Sequence, residues 1–334
     1  MHDEPRGDSA TASLIGTIKT IFRFPVKSVG GTAIIQAHVG MEGLLGDRRY
    51  AFMDLRSGQL CNAKNPRKYG RLLACRARFI AEPEPHQDLP PLEVEFPDGR
   101  THRNGHGDLD VAMSRYLGFP VRLISTVPED VTTEIVWDES SGMAKEGVYA
   151  DATLNASGDY VVALRSRRKN QTFVDLAALH LMTTSTADHL HQLDPAANFD
   201  PRRYRPTMVL DTDSPGLVED TWVGGSLALG DQVSTEVVMS TPRCVMSTLE
   251  HAPDVPLDRS TLRSLVKNNT KDVPGWGRWA CAGVYGAIAG TGEIRVGDPV
   301  RFTEGTPTER AQRQAIYTKA SRMRPQRGSE VVSD

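Results

Sequence analysis

No C-x-x-C pair occurs among the four cysteines, Cys61, Cys75, Cys244 and Cys281, so neither a zinc knuckle nor an iron–sulfur centre is readable. No apolar run approaches the roughly 20 residues that span a bilayer; the longest weakly apolar stretch, Trp279 to Ala289, is broken by glycines. The net charge is only -3 over 334 residues. No basic stripe interleaved with aromatics appears, which argues against a nucleic-acid partner. Residues Met1 to Thr20 open with acidic side chains and carry no basic segment followed by an apolar core, so no secretory signal is expected and the chain is placed in the cytoplasm. In a reducing compartment the four cysteines are expected to be free thiols, about three of them packing residues.

What is present is a β-rich pattern with glycine punctuation. Residues 1–12 read as a disordered leader. Short β-prone runs follow at Leu14 to Phe24, Thr32 to Val39 and Arg49 to Asp54,. Leu92 to Phe96, the Pro97-Asp98-Gly99 turn and Arg100 to Arg103 predict a hairpin, proline presetting φ and glycine supplying a positive φ,. Asp108 is expected to cap a short helix whose apolar face is Leu109, Ala112, Met113, Tyr116 and Leu117, and Gly118 to end it,. Thr126 to Thr172 is polar with little periodicity beyond Tyr160 to Leu164, and reads as a domain junction or mobile excursion.

Ala178 to Met182 reads as a strand running into a helix capped by Ser185, with Asp188 three positions on,. Strands are expected at Thr207 to Leu210, Ser226 to Leu229, Val233 to Met239, Glu293 to Val296 and Val300 to Phe302, with a further helix from Asp258,. The fold class is mainly β (α+β): a β-barrel domain over 126–304, packed with a smaller β-rich unit over 13–125 and a few peripheral helices. Residues 305–334 lose periodicity and read as a disordered tail,.

The most informative stretch is Ser240-Thr241-Pro242-Arg243-Cys244-Val245-Met246-Ser247-Thr248. Just past a strand end, Arg243 supplies positive charge that favours the Cys244 thiolate, the form that ligates soft metals. Four other segments accompany it: Phe24-Pro25-Val26-Lys27-Ser28, Gly46-Asp47-Arg48-Arg49-Tyr50-Ala51-Phe52, Arg203-Tyr204-Arg205-Pro206-Thr207, and Gly283-Val284-Tyr285-Gly286 leading to Gly292-Glu293-Ile294-Arg295-Val296-Gly297-Asp298-Pro299-Val300.

Together, in this order, these resemble the MOSC family, named for the carboxy-terminal domain of molybdenum cofactor sulfurases, in the arrangement that pairs it with a MOSC N-terminal β-domain. The mitochondrial amidoxime-reducing component and its bacterial relatives share that arrangement. The resemblance runs from about Leu14 to Phe302. It implies that Cys244 gives a thiolate to the molybdenum of a pterin molybdenum cofactor. It implies too that Lys27 and Ser28 contact the pterin phosphate, and that Arg48 and Arg205 hold the same anionic end. Arg243 and Thr207 join the cofactor contacts, and Asp175 is expected to accept from pterin N–H groups. Trp276 and Trp279 are candidates for the wall of the site. His180 reads as packing, and His102 with His106 as surface histidines. Thr207 stands where relatives often have Asn, and Pro242 where that branch has a small polar residue, which bears on substrate choice.

The function so implied is a molybdenum-dependent oxidoreductase that reduces small N-oxygenated substrates. Its electrons would come from a separate ferredoxin, flavoprotein or cytochrome-type donor. The chain is expected to be a monomer with no iron–sulfur cluster, pyridoxal phosphate, nucleic-acid or membrane partner. A carrier of the cofactor or of sulfur without turnover is the alternative, and a cofactor-free scaffold a third.

Overall fold

A computed structural model describes residues 12–105, 107–136, 152–163, 172–252, 254–274 and 276–322. Its centre is a closed barrel of seven strands. Taken around the ring these are Leu179–Thr183, Met208–Thr212, Ser13–Arg23, Pro299–Thr303, Ser226–Leu229, Val233–Pro242 and Gly277–Gly290, the last pairing back onto Leu179–Thr183. All neighbours are antiparallel except Leu179–Thr183 with Met208–Thr212, which run parallel. Closure leaves no free edge among the seven.

Alternation along the strands fills the barrel. Ile18, Ile21, Leu179, Leu181, Met208, Leu210, Leu227, Leu229, Val233, Val237, Val284 and Val300 form one buried cluster. Each contributes about 1.5–3 kcal/mol relative to exposure. Leu179–Thr183 is buried at all five positions. Its odd residues enter the barrel, while His180 and Met182 face packing outside it, which explains a continuous apolar run where a half-exposed strand would alternate.

A second core lies beside the barrel. Val26, Val29, Phe52, Tyr69, Leu72, Leu92, Val94, Leu109 and Met113 belong to it. The hairpin Leu92–Glu95 and Thr101–Arg103 lies over this core, with Gly99 at φ 81° in its turn. Helix Asp108–Leu117 closes it and ends at Gly118, whose φ of 87° is left-handed. Its cap position is Gly107, one residue before the expected Asp108, which instead sits in the first turn where its charge suits the helix dipole,.

Other elements differ from the sequence reading. The opening strand Ser13–Arg23 is a stave of the barrel, paired with Met208–Thr212 and Pro299–Thr303, so structural units and contiguous chain segments do not coincide. The polar stretch read as an excursion supplies Thr132–Ile135, Thr153–Leu154 and Tyr160–Ala163 to a sheet with Ala51–Asp54. Asn65 pins it by donating to Glu134 and Asp159. Helix Thr184–Leu193 is capped by Thr183, which accepts from Thr186 N, because Ser185 turns its hydroxyl to Thr212.

The stretch expected to be a disordered tail begins with helix Pro307–Arg322. Thr306 and Glu309 form a reciprocal capping box there: Thr306 N donates to Glu309 at 2.8 Å and Glu309 N to Thr306 Oγ1 at 3.3 Å,. Arg313 then ties the helix to the barrel through Gly224 O at 2.6 Å and Glu236 at 3.1 Å. The expected leader lies outside the described residues apart from Ala12. No helix among the described residues is long and apolar enough to cross a membrane.

Candidate functional site

One cleft, with a volume of about 150 Å3, gathers Lys27, Ser28, Arg48, Asp175, Arg205, Thr207, Arg243 and Cys244. They come from segments far apart in the chain, and every expected site residue is in its wall. Trp276 and Trp279 are there as well. His102 is elsewhere, edge-on to Phe96, and His106 is outside the described residues.

The backbone is unusual at this cleft. Among the described residues four non-glycine positions have positive φ, Ser28 (62°), Arg48 (48°), His86 (63°) and Arg205 (54°), and three of these line the cleft. Such conformations cost energy for residues with a Cβ and persist only where the surroundings enforce them. Hydrogen bonds do so here. Arg48 N donates to Phe24 O at 2.8 Å, and Arg205 N to Arg202 O at 3.1 Å, while Ser28 Oγ accepts from Ala63 N at 3.1 Å.

Arg48 and Arg205 share one aromatic ring. Their guanidinium carbons lie 4.5 Å and 4.3 Å from the Phe24 centroid, within range for cation–π attraction. Arg48 pairs with Asp47 and donates to Arg205 O at 3.0 Å. Arg205 spends Nη1 on Val29 O at 2.7 Å. Burial, with Arg48 adding to it, pulls the Arg205 guanidinium down to about 9, so it stays charged at neutral pH but under electrostatic stress. An anion arriving there would relieve that stress.

The same imbalance runs through the cleft. Six cationic side chains, Lys27, Arg48, Lys64, Arg203, Arg205 and Arg243, face two carboxylates, Asp47 and Asp175. Burial lowers the Lys27 ammonium, opposed by Asp175. Lys27 Nζ donates to Phe173 O at 3.0 Å and Asp175 Oδ1 at 2.5 Å. Removal from water would raise the Asp175 carboxyl, yet Lys27 and Lys64 more than offset this and hold it well below the usual range.

Cys244 follows the end of the Val233–Pro242 strand. The pairing of that strand with Gly277–Gly290 slips three times, the last between Ser240 and Pro242, and such bulges bend a strand and re-aim its side chains. Of the four free cysteines, Cys61, Cys75 and Cys281 are buried, while Cys244 is partly exposed and lines the cleft. Burial pushes the Cys75 and Cys281 thiols up to about 12, which makes them inert packing groups.

Arg243 is held by the protein's own acceptors. Its Nε donates to Ala282 O at 2.9 Å, Nη1 to Tyr204 O at 2.9 Å, and Nη2 to Ala282 O at 2.5 Å and to His180 Nε2. His180 thus does more than pack. Burial and the Arg243 charge drive its imidazole well below 6.5, so it stays neutral and can accept from the guanidinium. Gly283, at φ 78°, makes room: a Cβ there would lie 2.6 Å from His180 Nε2 and 2.5 Å from Leu181 O. Thr207 is equally committed, its Oγ1 accepting from His180 N at 3.1 Å.

Sequence reasoning missed Lys64, Tyr204 and Tyr285, which also line the cleft. Only tertiary placement brings them there. Buried Tyr204 Oη and Trp276 Nε1 have no partner among the described residues. Among the described residues no group of three or more His, Cys, Asp or Glu could hold a metal ion.

Two family models match the chain, the MOSC N-terminal beta barrel domain over residues 15–82 and the MOSC domain over residues 168–301. Together they cover more than half of it, and the chain belongs to the MOSC family. MOSC domains are associated with binding of the molybdenum cofactor. Among curated proteins none matches the sequence. A solved structure of the YUAD protein from Bacillus subtilis aligns over 89% of this chain and 100% of its own, with 8% identity and a TM-score of 0.39, a likeness too weak to bear on the site.

Proposed function

We propose that this protein binds a molybdenum cofactor at the cleft, with Cys244 as the protein's ligand to the metal, and uses it to reduce small N-oxygenated compounds with electrons from a separate redox protein. The supporting observation is the convergence of one accessible thiol with six cations and only two carboxylates. The donor set fits the group. A thiolate is the preferred kind of donor for a sulfur-loving metal. Arg48 and Arg205 offer planar, charge-assisted donors to a phosphate, Lys27 a point charge and Ser28 a hydroxyl proton.

When bound, the cofactor supplies two-electron chemistry that the side chains lack. The chain's residues hold and tune it. Arg243, clamped by Ala282, Tyr204 and His180, fixes a positive charge on the residue next to Cys244. Trp276, Trp279 and Tyr285 line the same cleft as the thiol. Metal analysis tests the core of this reading: wild type should carry close to one molybdenum per chain and Cys244→Ala less than a tenth of that. Equal molybdenum in both would remove the thiolate from the account. Loaded protein with an artificial electron donor should reduce an amidoxime or an N-hydroxylated base; failure on every such compound would overturn the assigned reaction.

The partial exposure of Cys244 also favours a second reading, a carrier of cofactor or sulfane sulfur without turnover. A persulfide on Cys244 seen by mass spectrometry, with transfer of cofactor to an apo-enzyme, would favour the carrier.

A further inference from the structure

Arg203 opens the segment that also carries Tyr204 and Arg205, yet its guanidinium bonds to no carboxylate among the described residues. It is 1% exposed, and its hydrogen bonds go to uncharged oxygens. Nε donates to Asn198 Oδ1 at 3.1 Å, Nη1 to Leu249 O at 3.2 Å and Ser247 O at 3.4 Å, and Nη2 to Pro256 O at 2.5 Å. Three of these acceptors are backbone carbonyls of the loop that follows Cys244. That loop opens with the short turn Val245–Thr248 and satisfies its other early carbonyls from within. Cys244 O accepts from Ser247 N at 3.1 Å and Ser247 Oγ at 3.0 Å, Val245 O from Thr248 Oγ1 at 2.7 Å, Met246 O from His251 Nε2 at 2.9 Å, and Thr248 O from Asp258 N at 2.8 Å. Arg203 reaches the loop from a different element, the turn Pro201–Tyr204.

We infer that Arg203 is a positioning residue for Cys244, setting where the thiol stands in the cleft by holding the loop on its carboxy-terminal side. The amino-terminal side is fixed by other means, since Arg243 N donates to Ala280 O at 2.8 Å and the Arg243 side chain is clamped by Ala282 and Tyr204. On the carboxy-terminal side the path is short: the guanidinium holds Ser247 O, and Ser247 in turn holds Cys244 O through its N–H and its hydroxyl. A planar guanidinium can span separated carbonyls because its donors diverge in a fixed fork, whereas an ammonium is a single point of charge. Hydrogen bonds from a charged donor are also stronger than those between neutral groups, so one side chain can order a loop with little regular structure. Without this tie the turn Val245–Thr248 opens locally, as segments held by few contacts do, and the thiol is no longer kept in one place. The inference rests on Cys244 being the working thiol, as proposed above, but not on molybdenum.

The test uses the full-length chain produced without molybdenum cofactor and the variant Arg203→Lys, which keeps the charge and loses the fork. Amide hydrogen exchange should rise at least tenfold at Ser247 and Leu249, whose N–H groups close the turn, and stay within twofold in the barrel strand Leu179–Thr183. Alkylation of Cys244 by iodoacetamide, followed by peptide mass spectrometry, should be at least threefold faster than in wild type by a factor that is constant across neutral and alkaline pH, because the thiol is freed while the nearby charge is kept. A wild-type alkylation rate in Arg203→Lys, a shifted midpoint in its pH profile, or exchange that rises in the strand as much as in the loop overturns the inference. If Arg203→Lys does not fold, Ser247→Ala decides, since it leaves the guanidinium's backbone contacts in place and removes the hydroxyl bond to Cys244 O. Faster alkylation of Ser247→Ala at unchanged strand exchange supports the inference, and unchanged alkylation overturns it. Because both readouts are taken without metal, failure here leaves the metal analysis of Cys244→Ala untouched, and the reverse holds too.

Discussion

His180 shows how much one side chain can be asked to do. Its Nε2 accepts from Arg243 and its ring lies edge-on to Tyr285 at 5.7 Å. Replacing it with Leu leaves one guanidinium N–H of Arg243 buried without that acceptor, at a cost of about 1–3 kcal/mol. His180→Gln, which can present a carbonyl oxygen, should recover part of the loss in urea unfolding. The pH dependence has a definite sign. The folded value lies well below 6.5, so the unfolded chain takes up the proton first, and stability contributed by neutral His180 is full above 6.5 and falls as pH drops. In His180→Leu that acid-side slope should shrink, with His251, pulled to about 4 by burial, supplying the remainder. An unchanged slope would show that the imidazole is not held neutral. The site residues at this scale were legible where a motif carried them, as with Cys244, Lys27 and Arg205. Lys64 was not, because nothing about the run Asn62-Ala63-Lys64-Asn65 announces a charge aimed at a carboxylate more than a hundred residues away.

At the scale of elements, Glu219 joins three pieces of structure. Its Oε2 accepts from Thr183 Oγ1 at 2.7 Å and Thr186 Oγ1 at 2.6 Å, which ties the turn Val218–Trp222 to the cap of helix Thr184–Leu193. Oε1 is buried with no partner among the described residues. Burial raises this carboxyl above 4.5, more than the two hydroxyl bonds lower it. The sign is opposite to that of His180: stability from Glu219 is full below 4.5 and is lost as pH rises through the elevated value. Glu219→Gln should therefore gain about 1 kcal/mol over wild type at pH 8 and little at pH 4, measured by urea midpoints at the two pH values. A constant difference would mean that the carboxyl does not titrate in this range. Elements with local signals were readable: the Pro97-Asp98-Gly99 hairpin and the helix ending at Gly118 form as expected. Helix Pro307–Arg322 was missed because it has almost no amphipathic face to detect, although its Thr306–Glu309 box was there to be read,.

The whole molecule is where sequence reasoning stops and where function is decided. Ser13–Arg23 looks like the start of an N-terminal unit, yet its partners are Met208–Thr212 and Pro299–Thr303, and no local pattern specifies a partner so distant in the chain. The cleft inherits that topology. Lys27, Ser28, Arg48 and Lys64 come from the chain's first fifth, whereas Asp175, Arg205 and Cys244 come from the barrel and its connections. A ligand held by both sets must bridge them, so binding should stabilise the chain as a whole. Ligand present at 100 times its Kd adds about 2.7 kcal/mol. With a melting entropy of about 2 cal/mol/K per residue, cofactor-loaded protein should melt roughly 4 °C above cofactor-free protein, and a tightly held cofactor should raise this further. Calorimetry on the two forms measures it directly. Arg48→Ala should lower both melts, since Asp47 and Arg205 O lose a partner in either form, and should also shrink the difference between them. If loading shifts only one of two resolved transitions, the ligand is held by one side alone, and the cleft does not work as a shared site.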